Sequence, residues 1–172
     1  MTAKDAVLAV LFEDPMGSFT MRELGRRAGV SIRSVILAIR VLKDEGLVRV
    51  VKKGNAKLVS ASRTDNFRSE KENYNLKLLK ASGLVEHISK LAPEAVVLFG
   101  SFARGEDTPE SDIDIAVIGG LDEKLEGLGT FEKKIGRKIS IHRVKDTARE
   151  TAEFKNTLAN GKVLKGYLKL AY

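Results

Sequence analysis

The segment Leu98–Val117, LFGSFARGEDTPESDIDIAV, restricts the possible folds of this chain more than any other part of the sequence. It begins with the end of a continuously apolar run, EAVVLFG, which is typical of a strand buried on both faces. That run ends at Gly100 and Ser101, where a glycine allows the backbone to approach a ligand closely. The residues FARGE that follow could form the first turn of a helix. The pattern therefore predicts a buried strand, a tight corner and a helix start in succession.

Two aspartates, Asp112 and Asp114, lie at alternate positions of the next apolar run, SDIDIAVIGG. Because alternate side chains of a strand share a face, we expect both carboxylates on one side and the intervening isoleucines in the core. Carboxylates this close repel each other unless a cation lies between them, and oxygen ligands near a phosphate favour Mg²⁺. Backbone amides at the helix start and the Ser101 hydroxyl would bind that phosphate. We predict Asp112 and Asp114 as metal ligands and catalytic residues, with Gly100 and Ser101 as nucleotide-binding residues.

The run GSFARGEDTPESDIDIAV resembles the signature of the minimal nucleotidyltransferases of bacteria and archaea, GSxARGxxxxxSDIDLxV, with the same spacing from Ser101 to Asp112. The resemblance implies a small nucleotidyltransferase fold, Mg²⁺ as cofactor, and ATP or another nucleoside triphosphate as substrate. It also implies that Arg104, the arginine of the family's ARG, binds phosphate or supports the site. Members of this family often act as antitoxins that modify a HEPN-type ribonuclease. The implied reaction is transfer of a nucleotidyl group such as AMP to a hydroxyl on a protein or an RNA.

The chain departs from the family pattern on a later strand, where fully active members carry a third carboxylate. Aligning the apolar positions of RKISIHRV places Ser140 where that aspartate is expected, with Lys138 and His142 on the same polar face. A serine is neutral and a weak metal ligand, and loss of a general base typically costs about 10²–10⁴-fold in rate. The alternative is therefore a transcriptional regulator whose nucleotidyltransferase domain is catalytically degenerate and acts as a nucleotide sensor or dimerisation module. His142 could substitute as a base, although a lone strand histidine is usually a surface residue.

The first third of the chain predicts three helices followed by a hairpin. Lys4 to Glu13 carries an apolar stripe, and Thr20 with Glu23 forms a capping-box pattern for a second helix, Met21 to Ala28. A third helix begins after Ser31 and repeats apolar residues with a helical period, which predicts one buried face made of Ile32, Val35, Ile36, Ile39 and Leu42. Two short apolar runs then flank Lys52-Lys53-Gly54-Asn55, which is a hairpin signal with a basic tip.

The segment TMRELGRRAGVSIRSVILAIRVLKDEGLVRV resembles the winged helix-turn-helix domains of bacterial and archaeal transcription regulators, and the resemblance covers about residues 3–62. It implies that the third helix lies in the major groove of double-stranded DNA and that basic residues around it bind phosphates. The implied DNA-binding residues are Arg26, Arg27, Arg33, Ser34, Leu37, Arg40, Lys52, Lys53 and Lys57. Winged-helix proteins are commonly dimers, so we expect a homodimer. The domain could instead dock proteins, or bind RNA as an acceptor-positioning module.

Charge and composition agree with a nucleic-acid partner on the N-terminal side. Of 30 lysines and arginines and 23 acidic residues, residues 1–65 hold 12 and 7, which leaves 18 and 16 for the remainder. The sequence has no cysteine, which excludes disulfides and thiolate zinc sites. Its longest apolar runs are far shorter than the roughly 20 residues that span a bilayer, and no signal-peptide pattern is present. We expect a cytoplasmic protein without a membrane partner.

Together these patterns predict an α+β protein of two domains. Residues 1–65 are predicted to form a winged helix-turn-helix DNA-binding domain. Residues 66–172 are predicted to form a small nucleotidyltransferase-like α/β domain with a short mixed sheet, in which residues 66–92 are connecting helices. Within it, a helix is predicted from Asp122 to Ile135. The segment TARETAEFKNTLANGKVL predicts a closing helix that stops at Gly161, followed by a final short strand or turn.

Overall fold

The computed structural model describes residues 2–122 and 125–170 of the chain. Those residues contain helices α1 Ala3–Glu13, α2 Met21–Ala28, α3 Ile32–Asp44, α4 Asp65–Ser82, α5 Leu84–Ile88, α6 Gly100–Ala103, α7 Leu128–Ile135 and α8 Ala152–Ala159. The strands are β1 Ser18–Thr20, β2 Val48–Lys53, β3 Ala56–Ala61, β4 Ala95–Phe99, β5 Ile113–Ile118, β6 Ile139–Val144 and β7 Lys162–Gly166. The chain divides into two compact units, residues 1–74 and 75–172. Within the described residues, no helix combines the length and apolarity that crossing a membrane requires.

The first unit contains the three predicted helices with the predicted caps. Thr20 accepts a hydrogen bond from the Glu23 amide, and the Glu23 carboxylate accepts one from the Thr20 amide, so the capping box at the start of α2 is confirmed. Gly29 ends this helix in the left-handed conformation, at φ +66°. The Ser31 side chain caps α3 by accepting a hydrogen bond from the Ser34 amide. These local signals lie within a few residues of each other, which explains why the sequence alone was sufficient to locate both helices.

The buried face of α3 differs from the predicted one. Val35, Ile39 and Leu42 are buried as expected, but Ile32 and Ile36 are 48% and 54% exposed. Ala38 takes the remaining core position of this helix. The buried face predicted for α3 was therefore too wide. The helix is apolar on more of its circumference than the rest of the first unit covers.

The predicted hairpin is formed by β2 and β3, which pair antiparallel around the turn at Gly54 and Asn55. A third strand that was not predicted, β1, pairs antiparallel with β3. Its three residues are too few to produce a recognisable alternation of polar and apolar side chains. The core of the unit lies between the helices and this sheet, and includes Leu11, Phe19 and Val59.

Residues predicted as connecting helices form α4, α5 and a 3₁₀ turn at Ser89–Leu91. The division between the two compact units falls between Tyr74 and Asn75, inside α4. The domain boundary predicted at residues 65 and 66 lies at the first turn of the same helix. Phe67 of α4 packs in the core of the first unit, whereas Leu79 packs in the core of the second.

The second unit is built on a four-stranded sheet with the order β6-β5-β4-β7. The β5–β6 pair is parallel and the other two pairs are antiparallel, so the predicted α+β class with a short mixed sheet is confirmed. One face of the sheet packs Ile113 and Ile115 against residues of α4 and α5. The opposite face packs Phe99 and Ala116 against Leu158 of α8.

One element of this unit differs from the sequence-based expectation, and two others agree with it. The helix predicted from Asp122 to Ile135 begins only at Leu128, after Gly127 with φ +78°, and residues 123 and 124 lie outside the described residues. The C-terminal helix is confirmed as α8, and the short final strand is confirmed as β7 at the edge of the sheet. Gly161 connects them where a Cβ would lie 2.7 Å from Val97 Cγ1 and 2.8 Å from Leu98 O, so only glycine fits there.

Candidate functional site

The corner after β4 and the first half of β5 meet at one edge of the mixed sheet. Phe99 and Asp114 are paired in the antiparallel register, so Gly100 directly follows the partner of Asp114. A Cβ added to Gly100 would lie 2.5 Å from Asp114 Oδ2, and Gly100 has φ +77°. Two separate constraints therefore require glycine at this corner. One is its left-handed backbone conformation, and the other is the close approach of the Asp114 carboxylate.

The two aspartates take the alternating positions expected of them. Asp112 is exposed immediately before β5, and Asp114 is partly buried within it. Ile113 lies between the two aspartates and Ile115 follows Asp114, and both isoleucines are completely buried in the core. Asp114 lies against the Gly100 backbone, and Asp112 lies two residues before it at the start of the same segment. A donor set made only of carboxylate oxygens beside a narrow backbone corner fits a hard divalent cation such as Mg²⁺.

Ser140, predicted to stand where active family members carry a third carboxylate, lies on β6. In the parallel β5–β6 pair it is the register partner of Asp114. Among the described residues, no group of three or more acidic, histidine or cysteine side chains could hold a metal ion.

His142 also approaches Asp114 from β6. Its Nε2 atom lies 3.6 Å from Asp114 Oδ1, and its ring makes an edge contact with Phe99 at a centroid distance of 5.0 Å. Phe154 of α8 packs edge-on against the same Phe99 at 5.6 Å. The histidine is thus packed in an aromatic group on the face of the sheet that carries Asp114.

The loop between α6 and β5 is held by a buried polar group that the sequence analysis missed. Asp107 is completely buried and accepts hydrogen bonds from Asn75 Nδ2 at 2.8 Å and Arg137 Nη2 at 3.2 Å. Asn75 also donates to the Phe102 carbonyl, and Arg137 donates to the Thr108 carbonyl. Asn75 and Arg137 are 29 to 32 residues away in the sequence from the loop residues that they bind. No short motif could therefore indicate these hydrogen bonds. The group fixes the segment that leads into Asp112.

Arg104, predicted to bind the nucleotide, lies at the end of α6 and forms an ion pair with Glu106, with Nε and Oε2 2.8 Å apart. It lines a cleft of about 260 Å³ together with Gly100 and Ala103. The remaining lining residues are Asn156, Thr157 and Asn160 of α8, a helix to which the sequence analysis assigned no chemistry. Their i, i+1 and i+4 spacing next to buried Leu158 is a signal of one polar helix edge that could have been noticed.

A second cleft, of about 500 Å³, lies beside Asp112. It is lined by loop residues before β5 and by residues of α7 and the start of β6, including Glu132, Lys133 and Lys138. Asp112 therefore lines the cleft of about 500 Å³ next to α7, whereas Gly100 lines the cleft of about 260 Å³ next to α8.

The residues predicted to bind DNA lie on the surface of the first unit. All are exposed except Ser34, which is partly buried and whose hydroxyl lies 2.9 Å from that of Ser31. Lys52 and Lys57 are direct cross-strand partners in the hairpin, where like charges destabilise the pair. Arg27 stacks on Phe19, with the guanidinium carbon 4.7 Å from the ring centroid. The hairpin therefore presents paired positive charge that an anionic partner would neutralise.

Residues 84–167 match the family model described as "Polymerase beta, Nucleotidyltransferase". The matched segment is 84 residues long, just under half of the chain, and is similar to a nucleotidyltransferase domain. It contains the Gly100 corner, both aspartates and Ser140, and it spans β4 to β7 of the mixed sheet. The match thus covers only residues of the second unit.

Two proteins of Methanocaldococcus jannaschii are similar to this chain. One, "Putative protein adenylyltransferase MJ1379", is 41% identical over 58 residues, which cover 30% of this chain and 58% of that protein. The other, "Putative protein adenylyltransferase MJ0604", is 59% identical over 27 residues, covering 16% and 27%. The chain thus spans less than two thirds of either relative. A crystal structure of hypothetical protein PyrSV_gp04 from Pyrobaculum spherical virus matches with a TM-score of 0.31 and 21% identity, covering 55% of this chain and 56% of that one.

Proposed function

We propose that the nucleotidyltransferase domain transfers AMP from ATP to a hydroxyl group on a protein or an RNA. The observation that carries this proposal is the contact between the Gly100 backbone and the Asp114 carboxylate, beside Asp112. Two relatives with short, highly identical segments are named as protein adenylyltransferases, which favours ATP as the donor and a protein as the acceptor.

Each residue of the site has a separate task in this proposal. Asp112 and Asp114 would hold Mg²⁺, which supplies neutralisation of the negative charge on the phosphates when it is bound. The backbone at Gly100 and the Ser101 hydroxyl hold the triphosphate, and the glycine keeps that backbone within reach of Asp114. The acceptor oxygen attacks the α-phosphorus, the bond to the β-phosphate oxygen breaks, and pyrophosphate leaves with its electron pair. The acceptor's proton passes to water or a neighbouring base.

The second candidate function is a nucleotide sensor or dimerisation module without turnover. Ser140 favours it, because the strand position opposite Asp114 holds a hydroxyl where a third carboxylate would assist proton removal. Both candidates require the domain to bind a nucleoside triphosphate with Mg²⁺. They differ only in whether a covalent product forms.

Incubation with ATP labelled in the α-phosphate separates the two candidates. With Mg²⁺ and an extract or purified acceptor, the enzyme hypothesis predicts labelled macromolecule that disappears in Asp112→Ala. The Glu110→Ala variant is a matched control, because Glu110 is an exposed loop carboxylate two residues away. ATP binding without label transfer to any acceptor would favour the sensor. Absence of ATP binding would reject both.

We further propose that the first unit is a winged helix-turn-helix that binds double-stranded DNA. Its support is the order of three helices and a hairpin, the exposed arginines of α3, and the facing lysines Lys52 and Lys57. Binding measured at several salt concentrations should show a steep decrease of affinity with salt. Tighter binding of tRNA than of duplex DNA would instead favour RNA as the ligand.

A homodimer and a HEPN-type ribonuclease partner remain proposals that follow from the two family resemblances. A DNA-binding domain fused to an antitoxin-like transferase would suit a protein that controls its own operon. Sedimentation of the purified chain measures the dimer, and label transfer to a co-expressed HEPN-type ribonuclease measures the partner. A monomer, or a ribonuclease that accepts no label, would contradict the respective proposal.

A further inference from the structure

The cleft beside Gly100 opens on the face of the sheet that carries Asp114. Ile113 and Ile115 point into the core on the α4 and α5 side, so Asp114, at the alternate position, faces the α8 side. The cleft combines Gly100 with Asn156, Thr157 and Asn160 of α8. A triphosphate held at the Gly100 corner would therefore have this cleft directly next to it.

The chemistry of the cleft is neutral and amide-rich. Its one cationic side chain, Arg104, is paired with the Glu106 carboxylate at 2.8 Å. Asn156 is exposed, and its side-chain amide has no hydrogen-bond partner among the described residues. Asn160 uses one N–H on the Asn156 carbonyl at 2.8 Å, which leaves its side-chain oxygen as an acceptor. A phosphate would prefer unpaired cations, whereas a base or a sugar matches such amides.

We propose that this cleft holds the nucleoside part of an adenine nucleotide, with Asn156 contacting the adenine edge; this inference rests on the proposed function of the domain. Adenine presents an adjacent N–H donor and nitrogen acceptor, and an asparagine amide presents the complementary acceptor and donor. Guanine presents two acceptors on the same edge, which places oxygen against oxygen when one amide group faces it. Asn156 is thus a specificity-determining residue of the nucleotidyltransferase domain.

The size of the cleft agrees with this assignment. Its volume of about 260 Å³ is below the roughly 300–1,000 Å³ of pockets that enclose drug-sized ligands. A cleft of this size suits one part of a nucleotide rather than a whole nucleoside triphosphate, so the phosphates would remain outside it, at the Gly100 corner. Gly100 lines the cleft and also forms the corner where the phosphates would bind. The nucleoside and the phosphates of one nucleotide would therefore lie next to each other.

Calorimetric titration of the full chain with Mg²⁺ tests the inference, using ATP, GTP, UTP and inorganic tripolyphosphate as separate ligands. We expect ATP to bind at least about tenfold more tightly than GTP or UTP, a difference of about 1.4 kcal/mol. Asn156→Ala should weaken ATP about five- to tenfold, as expected for one or two lost hydrogen bonds, and leave tripolyphosphate unchanged. Glu153→Ala, one turn earlier on α8 and outside the cleft lining, should retain the ATP affinity. Alanine is the better helix former, so Asn156→Ala should fold, and its melting temperature checks this.

The outcomes distinguish this inference from the proposed function. Equal affinities for the three nucleotides, or an unchanged ATP affinity in Asn156→Ala, would overturn the nucleoside site even if label transfer occurs. An ATP preference that depends on Asn156 would support the site even if no acceptor is labelled. If neither the nucleotides nor tripolyphosphate bind, the inference and the proposed function fail together.

Discussion

Ser140 lies directly opposite Asp114 across the parallel pair of β5 and β6. This one register relationship places a neutral hydroxyl next to a carboxylate at the edge where the Gly100 corner meets the sheet. A single substitution at residue 140 therefore changes the charge of the site without moving the backbone of either strand.

The first prediction is that Ser140→Asp raises the rate of AMP transfer. A carboxylate at this position could accept the proton of the attacking hydroxyl, a contribution of about 10²–10⁴-fold in favourable cases. We expect an increase of at least about tenfold in label transfer from ATP. Ser140→Asn is the matched control, since it has the shape of aspartate without its charge, and it should leave the rate near that of the wild type. Equal rates in the two variants would show that charge at residue 140 does not limit transfer.

The second prediction concerns Gly100→Ala. The added methyl group would meet Asp114 Oδ2, and the φ of +77° disfavours any side chain, so the variant should lose about 1–3 kcal/mol of unfolding free energy. It should also lose ATP binding. Gly136→Ala separates the effect of the backbone conformation from that of the collision with Asp114. Gly136 has the same φ of +77°, but no atom lies within 4 Å of the added Cβ. Urea unfolding and ATP titration should show that Gly136→Ala is the milder variant in both measurements.

The third prediction concerns the buried ion pair under the loop. Arg137→Ala removes a cationic partner of the buried Asp107 carboxylate, which should cost about 3–5 kcal/mol of unfolding free energy. Lys145→Ala removes the exposed pair between Lys145 and Asp122 and should change the unfolding free energy far less, because solvent screens an exposed ion pair. Urea unfolding of the two variants measures the difference. Similar losses would mean that the loop pair contributes no more than a surface pair.

The fourth prediction is a pH dependence in the first unit. The Thr20 amide donates to the Glu23 carboxylate and lowers the pKa of Glu23 below its ordinary value. A lowered folded-state pKa stabilises the fold above the pKa of an unfolded glutamate, about 4.3, and this stabilisation is lost as pH falls through the folded pKa.

Glu23→Gln measures that contribution, because glutamine keeps the capping hydrogen bond but cannot titrate. Wild type should be the more stable of the two at neutral pH, and the difference should shrink towards zero below about pH 4. Denaturation followed at pH 7 and in mild acid gives the comparison. A difference that is independent of pH would contradict the role of the Glu23 charge.

The fifth prediction is that Lys52→Ala and Lys57→Ala each weaken DNA binding and reduce the salt slope. Each phosphate contact contributes about one unit to the slope of log affinity against log salt. Lys90→Ala, an exposed lysine of the second unit, serves as the control and should leave the slope unchanged. Unaltered slopes in both hairpin variants would remove the hairpin from the DNA-binding surface. Because the two lysines face each other, each variant should also make the hairpin slightly more stable.

The sequence was most informative where structure depends on neighbouring residues. The caps at Thr20 and Ser31, the Gly54 turn and the alternation of Asp112 and Asp114 with buried isoleucines are all encoded within a few positions. Alternation also placed Ser140 on the polar face of its strand, whereas its register opposite Asp114 is known only from the sheet pairing.

The missed features depend on residues that are distant in the chain. Nothing near Asp107 in the sequence indicates that Asn75 and Arg137 converge on it. The exposure of Ile32 and Ile36 depends on which side of α3 the rest of the first unit covers, which periodicity cannot specify when most of a helix is apolar. The role of α8 beside the Gly100 corner follows from the pairing of β7 with β4, a contact between strands more than 60 positions apart.

The buried group of Asp107, Asn75 and Arg137 has an energetic consequence for the residues that follow it. Because these bonds form when the domain folds, the entropy of ordering the loop is lost once, during folding. Little further entropy is then lost when a nucleotide binds, because the segment that carries Asp112 is already ordered.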